Sequence, residues 1–182
     1  MNARTFARGG VSLCLAALLC AGALWASASY AGDMPISIKY SGTGFATAVD
    51  VNGDGENLSL TLAEGRGTFG RTAVNITSEF VVDPAVECEA GYVPYTLFQS
   101  TAMIIVNNGD QLFGFGGGGT LCLNPNTGYY YGDAYGVYYG GTGRFATAVG
   151  EYTSDYTGYV IEPFIGTNFR SIQGTLEGTL SK

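Results

Sequence analysis

From residue 36 onward, apolar and polar positions alternate with the period of a strand that has one face buried. Ile36, Ile38 and Tyr40 alternate with Ser37 and Lys39, and Phe45, Thr47, Val49 and Val51 extend the run past Gly42 and Gly44. Leu58, Leu60 and Leu62 alternate with Ser59 and Thr61, and Thr72, Val74, Ile76, Ser78 and Phe80 share a face of the next run. Tyr95 to Val106 is a longer, mainly apolar segment, which predicts a strand buried on both sides. Leu112 to Leu123 is glycine-rich, Tyr129 to Tyr139 is tyrosine-rich, and Phe145 to Tyr152 again alternates as a strand does.

Turn chemistry separates these runs. Asn52-Gly53-Asp54-Gly55, Asn107-Asn108-Gly109-Asp110 and Asn124-Pro125-Asn126-Thr127-Gly128 all suit tight connections. No segment has the capped 3.6-residue pattern of an amphipathic helix, and 29 glycines would penalise helices heavily. The expectation is an all-β chain of about eight antiparallel strands, least defined between Asp83 and Pro94. Glycines within strands supply the bends that closure needs, so a closed β-barrel is favoured over a two-sheet sandwich.

The N-terminus changes the length that must fold. Arg4 and Arg8 precede an apolar stretch from Val11 to Trp25, and Ala26-Ser27-Ala28 places small residues at the cleavage-determining positions. The stretch is short for a membrane span. Residues 1–28 read as a signal peptide cut after Ala28, or alternatively after Ala31, leaving 29–182 as one barrel domain in the periplasm or outside the cell. That domain keeps all 15 acidic residues but loses two of the eight basic ones. Such an acidic chain lacks the basic footprint that nucleic acid demands. Cys14 and Cys20 leave with the leader; Cys88 and Cys122 form an even pair in an exported protein and are expected to make one disulfide. There is no histidine, which excludes Ser-His-Asp and Cys-His catalysis and any histidine base or zinc ligand.

Candidate chemistry is sparse. Gly141, Gly143 and Ala146 match the spacing of a dinucleotide loop, but no helix follows, so that reading fails on context. Phe-Ala-Thr-Ala-Val occurs at 45–49 and again at 145–149; similar packing demands on two strands account for it without duplication. Asp50, Asn52, Asp54 and Glu56 offer oxygen ligands at alternate positions, as calcium loops do, yet the same Asn-Gly and Asp-Gly steps suit a hairpin turn. The turn is favoured and no cofactor is expected, with calcium as the one alternative. In the tyrosine-rich run, Tyr129, Tyr131, Tyr135 and Tyr139 share one face with Asp133 and Val137. The other face pairs Tyr130 and Tyr138 with a centre of Gly132, Ala134 and Gly136, which leaves room for packing or for a ligand. Arg144 and Arg170 stand out because basic residues are scarce; pairing with a carboxylate is the simple expectation for each. Tyr130, Tyr138 and Arg144 are the ligand-binding candidates. A small outer-membrane barrel fits poorly, since glycine and charge interrupt the apolar alternation and GTLEGTLSK at 174–182 lacks a terminal aromatic.

The segment GGTGRFATAVG, residues 140–150, resembles the strand-turn-strand element of the allene oxide cyclase and dirigent barrels, with Gly140, Gly141, Gly143 and Phe145 on the pattern. Val49 to Gly55, Asn108 to Gly114 and Leu121 to Gly128 extend the likeness to exported bacterial proteins of that barrel type. The resemblance implies a closed barrel in which the three glycines shape a turn and Phe145 anchors the next strand. It transfers no catalytic residue, because the family's catalytic positions lie outside this element. The leading functional expectation is a binding or interaction module for a small apolar ligand or a protein partner. A cofactor-independent cyclase or dirigent-like enzyme and a structural surface or matrix protein are the alternatives. The relatives often form dimers or trimers, so a homo-oligomer is a further expectation.

Overall fold

The computed structural model describes residues 32–47, 57–164 and 167–181. The leader with Ala28 and Ala31, and the acidic turn with Asp50, Asn52, Asp54 and Glu56, lie outside the described residues. Eight strands follow one another: β1 (Met34–Thr47), β2 (Asn57–Gly67), β3 (Gly70–Val82), β4 (Val93–Val106), β5 (Gln111–Leu123), β6 (Tyr129–Gly141), β7 (Val149–Phe164) and β8 (Thr167–Ser181). Each pairs antiparallel with the next, and β1 returns to β8, from Met34 opposite Leu180 to Thr47 opposite Thr167. The sheet is thus a closed barrel, as the alternation and the glycines implied. One end carries the start of β1, the end of β8 and the β6–β7 connection. The other carries the β3–β4 loop and the β5–β6 turn.

Alternation decides which face enters the lumen, and the choice is not always the more apolar one. In β1 the inward set is Ile36, Ile38 and Tyr40. In β2 the inward residues are Ser59, Thr61 and Ala63, while Leu62 of the leucine face is exposed. Strand β4 departs from its sequence reading. Leu97, Ala102, Ile104 and Val106 point inward and Phe98 is exposed, so burial is on one side only. The sequence pattern hides this, because a register shift between Glu79 and Phe80 lets β4 carry one extra residue opposite β3 and breaks the parity of its inward positions.

The two copies of Phe-Ala-Thr-Ala-Val do not share an environment. Phe45 lies in β1 and points outward against Phe169, with centroids 6.4 Å apart. Phe145 ends a short 3-10 turn, Gly143–Phe145, and is buried together with Ala148. The expectation that residues 145–152 form a strand is corrected to a turn followed by β7 from Val149. The anchor is Phe145 itself, which meets the edge of Phe69 at 5.1 Å and closes this end of the barrel over Leu180 and its neighbours. Gly143 adopts φ +54°, and a side chain there would strike the Asp110 carboxylate. Thr142 adds a hydrogen bond from the Gln111 amide to its hydroxyl, 2.9 Å.

Residues 83–92 form a loop rather than a strand. Asp83 organises its start, accepting from the Ala85 amide at 2.9 Å and from the Thr96 hydroxyl at 2.7 Å. Those two hydrogen bonds hold its carboxyl below the ordinary value. Cys88 is joined to Cys122 of β5 by a disulfide with Cα atoms 5.8 Å apart, tying the loop to the barrel wall. Tyr92 packs on Tyr131 beside it, with centroids 5.3 Å apart.

Candidate functional site

The lumen is built from tyrosines laid over glycines. Tyr130 of β6 faces Gly158 of β7, Tyr152 and Tyr156 of β7 face Gly136 and Gly132 of β6, and Tyr40 of β1 faces Gly174 of β8. A Cβ at Gly136 would come within 2.7 Å of the Tyr152 ring, and one at Gly174 within 2.7 Å of the Tyr40 hydroxyl. The small-residue centre of β6 is therefore occupied by rings from the neighbouring strand. This is the aromatic covering of strand glycines that restores packing where a side chain is missing.

Each ring carries a hydroxyl inward, and most are satisfied. Tyr40 shares a hydrogen bond with Ser154 at 2.9 Å, Tyr156 donates to the Thr120 carbonyl at 2.8 Å, and Tyr130 donates to the Ser171 carbonyl at 2.5 Å. Tyr138 stacks on Tyr152 at 5.0 Å, and its own hydroxyl is buried without a partner. Burial pushes all five phenols up, Tyr130 to about 12 despite the opposing pull of Arg170. They are hydrogen-bonding groups at neutral pH and not bases. Ser59, Thr61, Ser78 and Ser100 complete a hydroxyl belt around a central cavity of about 50 Å³. That is room for ordered water rather than for a ligand of any size.

Arg170 of β8 is the one charged side chain buried among the described residues, with 9% of its surface exposed. It enters the lumen opposite Gly44 of β1. Its Nη2 donates to the Ser59 hydroxyl, its guanidinium lies 5.8 Å from the centroid of the Tyr130 ring, and its Nε has no partner. Neither of the ion pairs among the described residues, Arg71 with Glu64 and Arg144 with Asp110, involves it. Desolvation lowers its pKa, with Tyr130 and Tyr156 opposing, yet a guanidinium stays protonated at any ordinary pH.

Above Arg170, toward the disulfide end, a second cavity of about 210 Å³ is lined by Phe80, Tyr95, Leu121, Leu123, Tyr130 and Val160, with Thr47, Asn168 and Arg170 as polar members. The three sequence candidates fall in different places. Tyr130 borders this cavity, whereas Tyr138 does not line it and stacks on Tyr152. Arg144 is outside the lumen altogether. It stacks over Phe69 and Phe145 at 5.4 and 4.9 Å and lies 3.9 Å from the Asp110 carboxylate. Its charge is used to cover the closed end. Arg170 stood out in the sequence only as a scarce cation and was not among the ligand-binding candidates, although a signal existed: it shares parity with Ile172, Leu176 and Leu180, so it sits on an apolar face.

No family model, no curated protein sequence and no solved structure matches this chain.

Proposed function

We propose that this chain is an exported binding module, with a barrel of the allene oxide cyclase and dirigent type, that takes a small apolar ligand at its disulfide end. The observation that carries the reading is the apolar cavity of about 210 Å³, lying over a lumen otherwise filled by rings. It falls below the roughly 300 Å³ at which pockets for drug-sized ligands begin. Export is supported by the apolar leader and by the Cys88–Cys122 disulfide, which persists in oxidising compartments. The barrel-type assignment rests on GGTGRF, which falls at the β6–β7 connection with Phe145 anchored beneath it. Binding is favoured over catalysis because, among the described residues, no carboxylate lines either lumenal cavity and the phenols there are held protonated. An aqueous rather than lipid setting is supported by outward residues such as Lys39, Glu151, Asp155 and Glu177, which are exposed on β1, β7 and β8.

The test is calorimetric titration of residues 29–182 with octan-1-ol, beside the Leu123→Trp variant that fills the cavity. The expected result is saturable binding that the variant abolishes while its circular dichroism is unchanged. Absence of any heat from the wild type at millimolar alcohol would count against the reading. One outward feature supports self-association as well: exposed Phe45 and Phe169 meet across β1 and β8, with exposed Leu62 on β2 beside them. Light scattering of a Phe169→Glu variant is expected to show a smaller particle than the wild type.

A further inference from the structure

Arg170 presents a problem that the binding reading alone does not solve. A charge drawn into a low-dielectric interior is strongly disfavoured unless it is paired and fully hydrogen-bonded. Among the described residues it receives one neutral hydroxyl, from Ser59, and one ring face, from Tyr130, and its Nε–H has no acceptor. A guanidinium has five donors in a planar fork, and the fork matches a carboxylate through two parallel bonds. The group is also an end wall of the apolar cavity that Phe80, Tyr95, Leu121 and Leu123 line.

We propose that the cavity binds an apolar monocarboxylate, with its carboxylate on the Arg170 guanidinium and its hydrocarbon body among Phe80, Tyr95, Leu121 and Leu123. This rests on the binding reading above and names its ligand class. The charge count argues for a monoanion, since among the described residues no second cation lines the cavity to compensate a phosphate or a dicarboxylate. The apolar wall argues against a small hydrated anion, which would lose its water without replacement. A neutral sugar is a poorer fit, because Phe80, Leu121, Leu123 and Val160 offer its hydroxyls no partner and the Tyr130 hydroxyl already donates to Ser171. Tyr130 is a positioning residue: with its hydroxyl held by the Ser171 carbonyl, its ring face supports the guanidinium from one side.

Octanoate, octan-1-ol and sulfate are the probes, titrated calorimetrically into residues 29–182 with the disulfide intact. Octanoate is expected to bind about ten- to a hundredfold more tightly than the alcohol, the difference a charged hydrogen-bond pair makes, and sulfate not measurably. Arg170→Met should erase the preference, so that acid and alcohol bind alike, while its thermal midpoint holds or rises because a poorly paired buried charge has been removed. Arg170→Lys, which keeps the charge and loses the fork, should retain only part of the preference. Equal binding of acid and alcohol by the wild type would overturn the carboxylate anchor and leave apolar binding standing. Sulfate binding as tight as octanoate would overturn it in favour of an inorganic anion site. A preference that survives in Arg170→Met, with a lowered midpoint, would make Arg170 a structural residue. If neither octanoate nor the alcohol binds, the anchor and the binding reading fall together.

Discussion

Glycine and tyrosine in this lumen are two halves of one packing unit, and the halves differ in how much each tolerates. At Gly114 a Cβ would sit 3.1 Å from the Tyr152 ring and 3.5 Å from Ala102 and Tyr138, with side chains alone in the way. At Gly136 the Tyr152 ring is again close, at 2.7 Å, but the Phe115 carbonyl is closer still. Both alanine variants are expected to lower the urea midpoint, by the roughly 1–3 kcal/mol that overpacking costs. In a Tyr152→Ala background the Gly114→Ala penalty should shrink toward zero while the Gly136→Ala penalty persists, and a double-mutant cycle reads the difference. The tyrosines also set a pH limit. An unfolded phenol loses its proton near ~10, while the folded protein keeps the Tyr130 proton to about 12. Between those values the unfolded chain binds fewer protons, so stability is full below the first and falls as pH rises through the second. Burial moves Tyr138 and Tyr156 the same way and deepens the loss. Phenolate absorbance from these buried rings is expected to appear together with the loss of circular dichroism; smooth titration of every tyrosine in a still-folded protein would contradict it.

A strand announces that it has two faces, but not which one will be inside. Alternation and turn residues gave the count of about eight without drawing β8, and they did not choose the faces: β2 turns its leucines out and its hydroxyls in, because Ser59 and Thr61 meet Tyr40, Ser78 and Arg170 around the central cavity. The inward character of Arg170 was only half legible: its parity with Ile172, Leu176 and Leu180 put it on the apolar face, while what it meets there depends on how β8 is registered against β1 and β7. The repeated pentapeptide shows the limit more sharply. Phe45 to Thr47 lie in β1, whereas Phe145 ends a 3-10 turn, where Thr142, Gly143 and Asp110 fold the chain back over the barrel end. Local sequence could not separate the two; the partners that surround each Phe could. Phe145→Ala should therefore cost about 3–5 kcal/mol, as for a buried ring removed from a core, whereas Phe45→Ala should change stability by less than about 1 kcal/mol, as for a surface site. Paired denaturant curves check this, and equal penalties would mean that Phe45 is buried against a partner in solution.

At the scale of the whole molecule, closure is the feature on which stability turns, and it joins the two ends of the chain. Strands β1 and β8 are paired along their full length, from Met34 with Leu180 to Thr47 with Thr167. The barrel class was legible because alternation, turn residues and in-strand glycines all pointed to it, whereas the polar lumen and its single cation emerge only once eight faces converge. Two constraints act on the unfolded chain rather than on native contacts. The disulfide spans 34 residues, and its reduction should lower stability by roughly 3–4 kcal/mol on the chain-entropy account, with the barrel's circular dichroism retained in the absence of denaturant. Long-range pairing also implies folding in milliseconds to seconds rather than microseconds. Deleting residues 167–182 tests closure directly. It bares the edges of β1 and β7, whose unpaired amides and carbonyls would template pairing with other chains. The same deletion removes Leu176 and Leu180 from the core and Arg170 from the cavity. Size-exclusion chromatography is expected to show aggregate and no folded monomer. A monodisperse seven-stranded species with native circular dichroism would show that the remaining strands can close without β8, and that the β1–β8 seam is not what holds the barrel together.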